Sequence, residues 1–368
     1  MRIKCANSNI HEFNIEDTAF EVINQDGQHS RYVKRNEELR EWLPYRFLIG
    51  LLLIFFLCMI DIKFIFKFAY PIFFLNILVL ALIPFIGTET FGATRWIKIG
   101  GISLQPSEFV KYTLILALAK YYHSIQDANI NSLSKLLIPA VFVIVPTIIV
   151  FIQPDLGTAL VIALGSLSIF WAAGLSYRYF ISGGLIGLLS IPIAWQFLRG
   201  YQKERVFTFF NPERDPLGNG YHILQSKIAL GSGGFFGKGY LDGTQSHLNF
   251  LPEMHNDFIF TMFGEEFGFL GSIFLIIIYL SIILISFRMA IASKSLFSRY
   301  LSIGVTFVFS LYVLINISMV MGLIPVVGVP LPFLSYGGSS TLAIMGGFGL
   351  LMNCYIHQRT NLEKGDFF

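Results

Sequence analysis

Charge is what this sequence has least of. Asp, Glu, Lys and Arg make up only 13% of its 368 residues, about half the share of an ordinary soluble domain. So few charges cannot cover a soluble body that is 54% hydrophobic with a mean hydropathy of +0.65. Cysteine is almost missing. Cys5, Cys58 and Cys354 are the three present, and they give neither a disulfide framework nor a metal-ligand spacing. There is no N-terminal export leader, because MRIKCANSNIHEF contains no apolar stretch. Internal repeats are also missing. Low charge and high apolar content exclude a disordered chain, a collagen and a basic nucleic-acid binder. The net charge of +3 names no partner.

What remains is a set of long apolar runs. A helix needs roughly 20 apolar residues to cross a bilayer. Runs of that kind lie near 43–60, 68–86, 107–122, 136–152, 157–175, 179–198, 257–287, 300–324 and 336–356. The expectation is an all-α, polytopic helical membrane protein of about nine transmembrane helices. The seventh run is too long for one straight span, so its first turns are expected at the membrane surface.

The few charges are concentrated. Fifteen lie within residues 1–46 and twelve between Arg199 and Asp257. The chain therefore divides into a polar N-terminal segment (1–42), six spans (43–198), a large polar loop (199–256), three spans (257–356) and a tail (357–368). Short loops rich in Lys and Arg face the cytoplasm. Arg288, Lys294 and Arg299 share one such loop. Counting from it, the 199–256 loop, the Trp96 loop and the Gln153–Asp155 turn face outward, and so does the N-terminus.

Several residues attract chemistry, each with a plainer alternative. Gly220–Leu230 reads as a short amphipathic helix. The run Gly231, Gly233, Gly234, Gly237 and Gly239 fails both the Walker and the dinucleotide patterns, so close backbone packing is favoured over phosphate binding. The segment Leu251–Phe258 carries Glu253, His255 and Asp257 at the start of a span. A partly desolvated carboxylate there suits a general base; the alternative is that Asp257 caps the next helix. Zinc held by His247, Glu253 and His255 would be unlike the usual spacing. Glu108 and Lys111 are three apart on one helical face and can pair, either as a structural ion pair or as functional intramembrane charges. Asp155 sits in a tight turn and also reads as a helix cap. Glu265 and Glu266 lie in the first turns of the seventh run. Arg95 and Trp96 suit an interfacial anchor. Pro325, Pro330 and Pro332, followed by Ser335-Tyr336-Gly337-Gly338-Ser339, indicate a bent segment lining a cavity instead of facing lipid. Ser132-x-x-Lys135 has no companion motif and is read as chance.

Seven segments in order resemble the SEDS family of polytopic cell-wall polymerases. They are Gly92-x-x-Arg95-Trp96, Gln105-Pro106-Ser107-Glu108, Gln153-Pro154-Asp155-Leu156-Gly157-Thr158, Asp215-Pro216-Leu217-Gly218-x-Gly220-Tyr221, Leu251-Pro252-Glu253, Asp257-Phe258 and Ser335-Tyr336-Gly337-Gly338-Ser339. Gln225-Ser226-Lys227-Ile228 and Gly243-Thr244-Gln245-Ser246 resemble its rod-shape branch more than its division branch. The resemblance implies a bacterial inner-membrane enzyme that polymerises lipid II into β-1,4 glycan, with a class B penicillin-binding protein as transpeptidase partner and no nucleic acid. By the same resemblance Asp257, Glu108, Lys111 and Asp155 do the chemistry. Arg95, Arg205, Glu253, His255, Ser335 and Ser339 are expected to contact substrate. Lys111, Arg95, Arg205 or a divalent cation (Mg or Mn) would balance the leaving pyrophosphate, and no organic cofactor is expected. Asn256 stands where the family has Thr.

The family pattern also has ten spans with both ends cytoplasmic. Against it the first span is missing here, with polar Met1–Phe20 in its place. A truncation or a displaced or frameshifted start accounts for that. Two rivals come from other classes. One is a transporter or flippase for the lipid-linked precursor, which would be expected to show repeats and a midplane site. The other is a non-catalytic scaffold for the transpeptidase.

Overall fold

A computed structural model describes residues 13–14, 21–22, 31–90, 93–99, 102–125, 130–198, 200–212, 219–240, 242–243 and 256–362, with side chains from Tyr45 onward. The chain forms two compact units, Met1–Ile49 and Gly50–Phe368. The first contains an antiparallel pair, β1 (Phe13–Asn14) and β2 (Glu21–Val22), and the opening of helix α1 (Arg31–Met59). That helix starts well before the apolar run, because Arg31–Glu41 is rich in Arg, Lys, Leu and Glu, all good helix formers.

The second unit is helical. In chain order it holds α2 (Ile62–Ile86), α3 (Pro106–Ser124), α4 (Leu133–Ile152), α5 (Leu156–Ala172), α6 (Tyr177–Phe197), α7 (Gly200–Phe210), α8 (Asn219–Ser232), α9 (Ile259–Ala292), α10 (Leu296–Val320) and α11 (Gly338–Ile356). Each expected apolar run is a helix. Six of them, α2, α4, α6, α9, α10 and α11, are long and apolar enough to cross a membrane, while Tyr45–Met59 and Leu156–Ala172 are shorter apolar helices. The fold is that of a polytopic helical membrane protein.

The exception is α3, and its position explains it. Glu108, Lys111, Lys120 and His123 are all buried along it. It packs against α2, α4, α5, α10 and α11, so its charges meet protein and not lipid. The helices around it expose long aliphatic and aromatic side chains, among them Leu75, Leu137, Ile186 and Phe274. Among the described residues α6 buries none of its own. The core is therefore α3 against α10. The Ile115 side chain packs onto the backbone of Gly304, where a Cβ would come within 2.5 Å of its Cγ2. Small residues at helix contacts are the usual way membrane helices pack.

Two features were not expected from the apolar runs. Thr88–Thr90 (β3), Ala93–Ile99 (β4) and Ile102–Leu104 (β5) form a three-stranded antiparallel sheet. The alternation Thr94-Arg95-Trp96-Ile97-Lys98-Ile99, with its β-branched and aromatic residues, is the local cause. The second is α7, an amphipathic helix in the polar loop that the run-based reading passed over. The expected Gly220–Leu230 helix is present as α8. The long seventh run is α9, and it is broken: Gly268 has φ 66° and ψ −161°, a conformation essentially open to glycine alone.

Candidate functional site

The site is built where the ends of α3, α5, α9 and α10 meet. Pro106 occupies the first turn of α3, where its missing N–H costs nothing. The residue before it, Gln105, does not cap the helix. Its side-chain amide reaches Asp155 Oδ2 at 2.9 Å and Ser107 at 3.0 Å. Asp155 does cap α5, as one reading held, accepting from the Thr158 N–H at 3.2 Å. Its other oxygen faces Gln105 and, at 3.7 Å, the Arg95 guanidinium. Arg95 comes from β4. It donates to the carbonyls of Gln153 at 2.9 Å and Pro154 at 2.5 Å, so it locks the Asp155 turn in addition to neutralising it.

One helical turn into α3, Lys111 and Glu108 pair at 2.8 Å, with the lysine side chain fully enclosed. The Tyr312 hydroxyl of α10 donates to Glu108 at 2.7 Å and also meets Lys111. The pair is thus a buried triad. One turn along the same face of α10 is Asn316, fully buried. Its amide donates to the main-chain carbonyls of Asp257 at 2.9 Å and Val329 at 2.7 Å. Asn316 therefore fixes the backbone of Asp257, and the α10 face joins it to the Glu108 triad.

Asp257 itself does not cap α9. The capping position is Phe258, with no side-chain bond. The carboxylate faces the 321–337 connection, and a Cβ on Gly328 would lie 3.4 Å from its Oδ2. That connection holds no helix or strand, and the Tyr279 hydroxyl pairs one of its carbonyls, that of Pro332, at 2.7 Å. It is the hub of the site. Arg205 of α7 donates to the Val326 carbonyl at 3.3 Å. Gly157, two residues after Asp155, lies so close that a Cβ would stand 2.5 Å from the Val327 carbonyl. Gly157→Ala therefore pushes the Asp155 turn away from the hub. The expected result is at least a tenfold loss of activity with the chain still folded, measured as product formed per mole of monodisperse protein; a 1 Å misplacement can cost about a hundredfold.

Ser335 and Ser339 use their hydroxyls on the backbone. Ser335 accepts from the Leu331 N–H at 2.8 Å and donates to the Asn256 carbonyl at 2.5 Å. Ser339 accepts from the Gln105 N–H and donates to the Ser103 carbonyl. They staple the hub to the entrance of α9 and to β5. Glu253, His255 and His247 lie outside the described residues. Sequence reasoning missed Gln105, Tyr312 and Asn316. The signal for the last two was there: two polar side chains four apart inside an apolar run. Among the described residues no three His, Cys, Asp or Glu side chains gather to hold a metal, and Glu108 and Asp155 are each already faced by a cation.

Comparison with known proteins follows the same lines. The family model of the cell cycle proteins FtsW, RodA and SpoVE matches residues 40–360. The peptidoglycan glycosyltransferase MrdB of Escherichia coli K12 is 40% identical over 284 residues, covering 77% of this chain and 76% of that protein. The stage V sporulation protein E of Bacillus subtilis is 36% identical over 284 residues, 77% of each. A chain of a peptidoglycan synthase complex, solved to show how polymerization and crosslinking are coordinated, superposes with a TM-score of 0.76 at 31% identity, over 88% of this chain and 91% of that one. The rod shape determining protein RodA of Thermus thermophilus gives 0.65 at 28% identity, over 86% and 87%.

Proposed function

The chain belongs to the FtsW/RodA/SpoVE family of cell cycle proteins, and on that premise we propose that it polymerises lipid II during cell elongation and rod-shape maintenance. As an enzyme it is a peptidoglycan glycosyltransferase, the name borne by relatives of 40% and 38% identity. The observation that carries the assignment of roles is the hub at 321–337, against which Asp257, Arg205 and the Asp155 turn are all placed.

The chemistry then follows from which groups remain to act. Asp257 takes the proton of the acceptor sugar hydroxyl as that oxygen attacks the anomeric carbon of the donor. The bond from that carbon to the pyrophosphate breaks, and the lipid pyrophosphate leaves with the electron pair. Arg95 and Arg205, at the rim, offset its developing charge, while the enclosed Glu108–Lys111–Tyr312 triad holds the floor of the site. Asp257 is the carboxylate among the described residues that would hold a magnesium or manganese ion, which would supply further charge neutralisation there. The polar loop 199–256 faces outward in this reading, where a lipid-linked sugar presents its headgroup. The apolar, lipid-facing helices accommodate the isoprenoid tail in the bacterial cytoplasmic membrane. A class B penicillin-binding protein is the proposed partner, in keeping with the synthase complex that one structural relative belongs to.

The test is polymerisation by the purified full-length chain, in detergent, with lipid II and no membrane potential. The expected product is a ladder of glycan strands on a denaturing gel. A precursor flippase would instead move lipid II across vesicles and make no polymer. A scaffold would do neither alone.

A further inference from the structure

Two features singled out in the sequence, the glycine run after α8 and the Glu265–Glu266 pair, are not used by the chemistry above. The structure places them against each other. At Gly268 the helix α9 breaks, which divides it into a short segment, 259–267, leading from Asp257, and a long membrane segment, 269–292. A break strands N–H and C=O groups on both sides, and inside a membrane protein these must find partners. The 234–239 run supplies four of them. The Lys238 and Gly239 N–H groups donate to the carbonyls of Glu265 and Glu266, both at 3.1 Å. The Phe269 and Leu270 N–H groups donate to the carbonyls of Gly234 and Phe235, at 3.0 and 3.2 Å. The contact is so close that a Cβ on Gly237 would meet the Glu266 carbonyl at 2.1 Å, and one on Gly268 the Gly237 nitrogen at 2.2 Å. This is the close backbone packing expected of the run, and it is directed at a break.

Side chains close the same joint. Glu265 is fully buried, and its carboxylate meets the Lys238 ammonium at 2.7 Å, with a quarter of the lysine side chain exposed. A second, independent tie lies two turns away: Ser226 of α8 bonds the Thr261 hydroxyl at 2.8 Å and the Val320 carbonyl of α10 at 2.9 Å. The segment that starts just after Asp257 is thus held at one end by Asn316 and at the other by the loop that follows α8.

We infer that the 234–239 loop, latched by Lys238 on Glu265, is a brace that sets the direction of residues 259–267 and so positions Asp257. Lys238 and Glu265 are positioning residues. They act on Asp257 through the 259–267 segment. The inference rests on Asp257 as the base. It extends that reading by making the polar loop part of the device that aims it: a shift of α8 is carried into the short segment through a latch that water can reach on one side.

The experiment compares three full-length variants in the lipid II polymerisation assay. Lys238→Met with Glu265→Gln removes both charges and leaves no buried ion unpaired, so the chain still folds. Lys238→Glu with Glu265→Lys restores the pair in reverse, and Asp257→Asn reports on the base. The neutral pair is expected to lower kcat roughly tenfold to a hundredfold, with KM for lipid II within about twofold and a thermal midpoint close to that of the parent. The reversed pair is expected to recover part of the lost kcat. An unchanged kcat in the neutral pair, with Asp257→Asn inactive, overturns the brace and leaves the base assignment standing. Full activity of Asp257→Asn overturns the base assignment; a fall in kcat in the neutral pair alongside it supports the brace and moves the group it positions elsewhere. A kcat loss that matches the loss of folded protein reduces the pair to a stability role and overturns the inference.

Discussion

Asp257→Asn is expected to silence the enzyme and spare the fold. General-base catalysis contributes about a hundredfold to ten-thousandfold, and an amide cannot take the proton. Asp257 is not the capping residue of α9, and its main-chain carbonyl accepts from Asn316. Asn keeps that carbonyl, the size of the side chain and its polarity. The variant is expected to purify in normal yield with a thermal midpoint within a few degrees of the parent, and to elongate glycan at least a hundredfold more slowly. A rate within about fivefold of the parent would place the base elsewhere. Normal growth of cells that depend on the variant would favour the scaffold reading.

The second large effect is on stability. Met at position 111 strips Glu108 of its ammonium partner in a site from which water is excluded. The lysine side chain is fully enclosed and the carboxylate is nearly so. Removing one member of a buried pair costs about 3–5 kcal/mol, because a charge is left uncompensated. That is a large part of the stability of a typical domain. Lys111→Met should therefore lower the amount of folded, monodisperse protein and drop its thermal midpoint in detergent. The pair variant Glu108→Gln with Lys111→Met should recover most of that, since no buried charge is left uncompensated and the amide oxygen of the new glutamine can still accept from the Tyr312 hydroxyl. Activity separates the two readings of the pair. Restored stability together with restored polymerisation makes Glu108 and Lys111 structural. Restored stability without polymerisation assigns the charges to the reaction.

Much of the architecture was legible because a membrane imposes simple rules. A run of apolar residues long enough to cross is a helix, and each of the expected runs is one. The broken seventh helix was legible as excess length, since 34 residues rise about 51 Å against a hydrocarbon core of about 30 Å. Placing the break at Gly268 was beyond the sequence, because a lone glycine in an apolar run also serves as a packing residue. The sheet at Thr88–Leu104 was missed although its alternation is plain, since the run-based reading treats everything between spans as loop. The pairing of Glu108 with Lys111 and the cap by Asp155 followed from spacing alone. For Asp257 the structure assigns the capping position of α9 to the next residue, Phe258. Tyr312 and Asn316 escaped because their partners are some 200 and 59 positions away, and no local pattern carries such a distance.

The enclosed position of α3 has a consequence for how the chain is made. A helix with Glu108, Lys111 and Lys120 along it enters a membrane less readily than the purely apolar helices around it, because each charge carries an insertion cost. One of its partners is synthesised far later. The hydroxyl that bonds Glu108 belongs to α10, and the chain must grow by more than half its length before that residue leaves the ribosome. The Glu108–Lys111–Tyr312 triad closes only when the chain is nearly complete. Until α10 is made, Glu108 and Lys111 have each other but lack the Tyr312 hydroxyl that completes the triad.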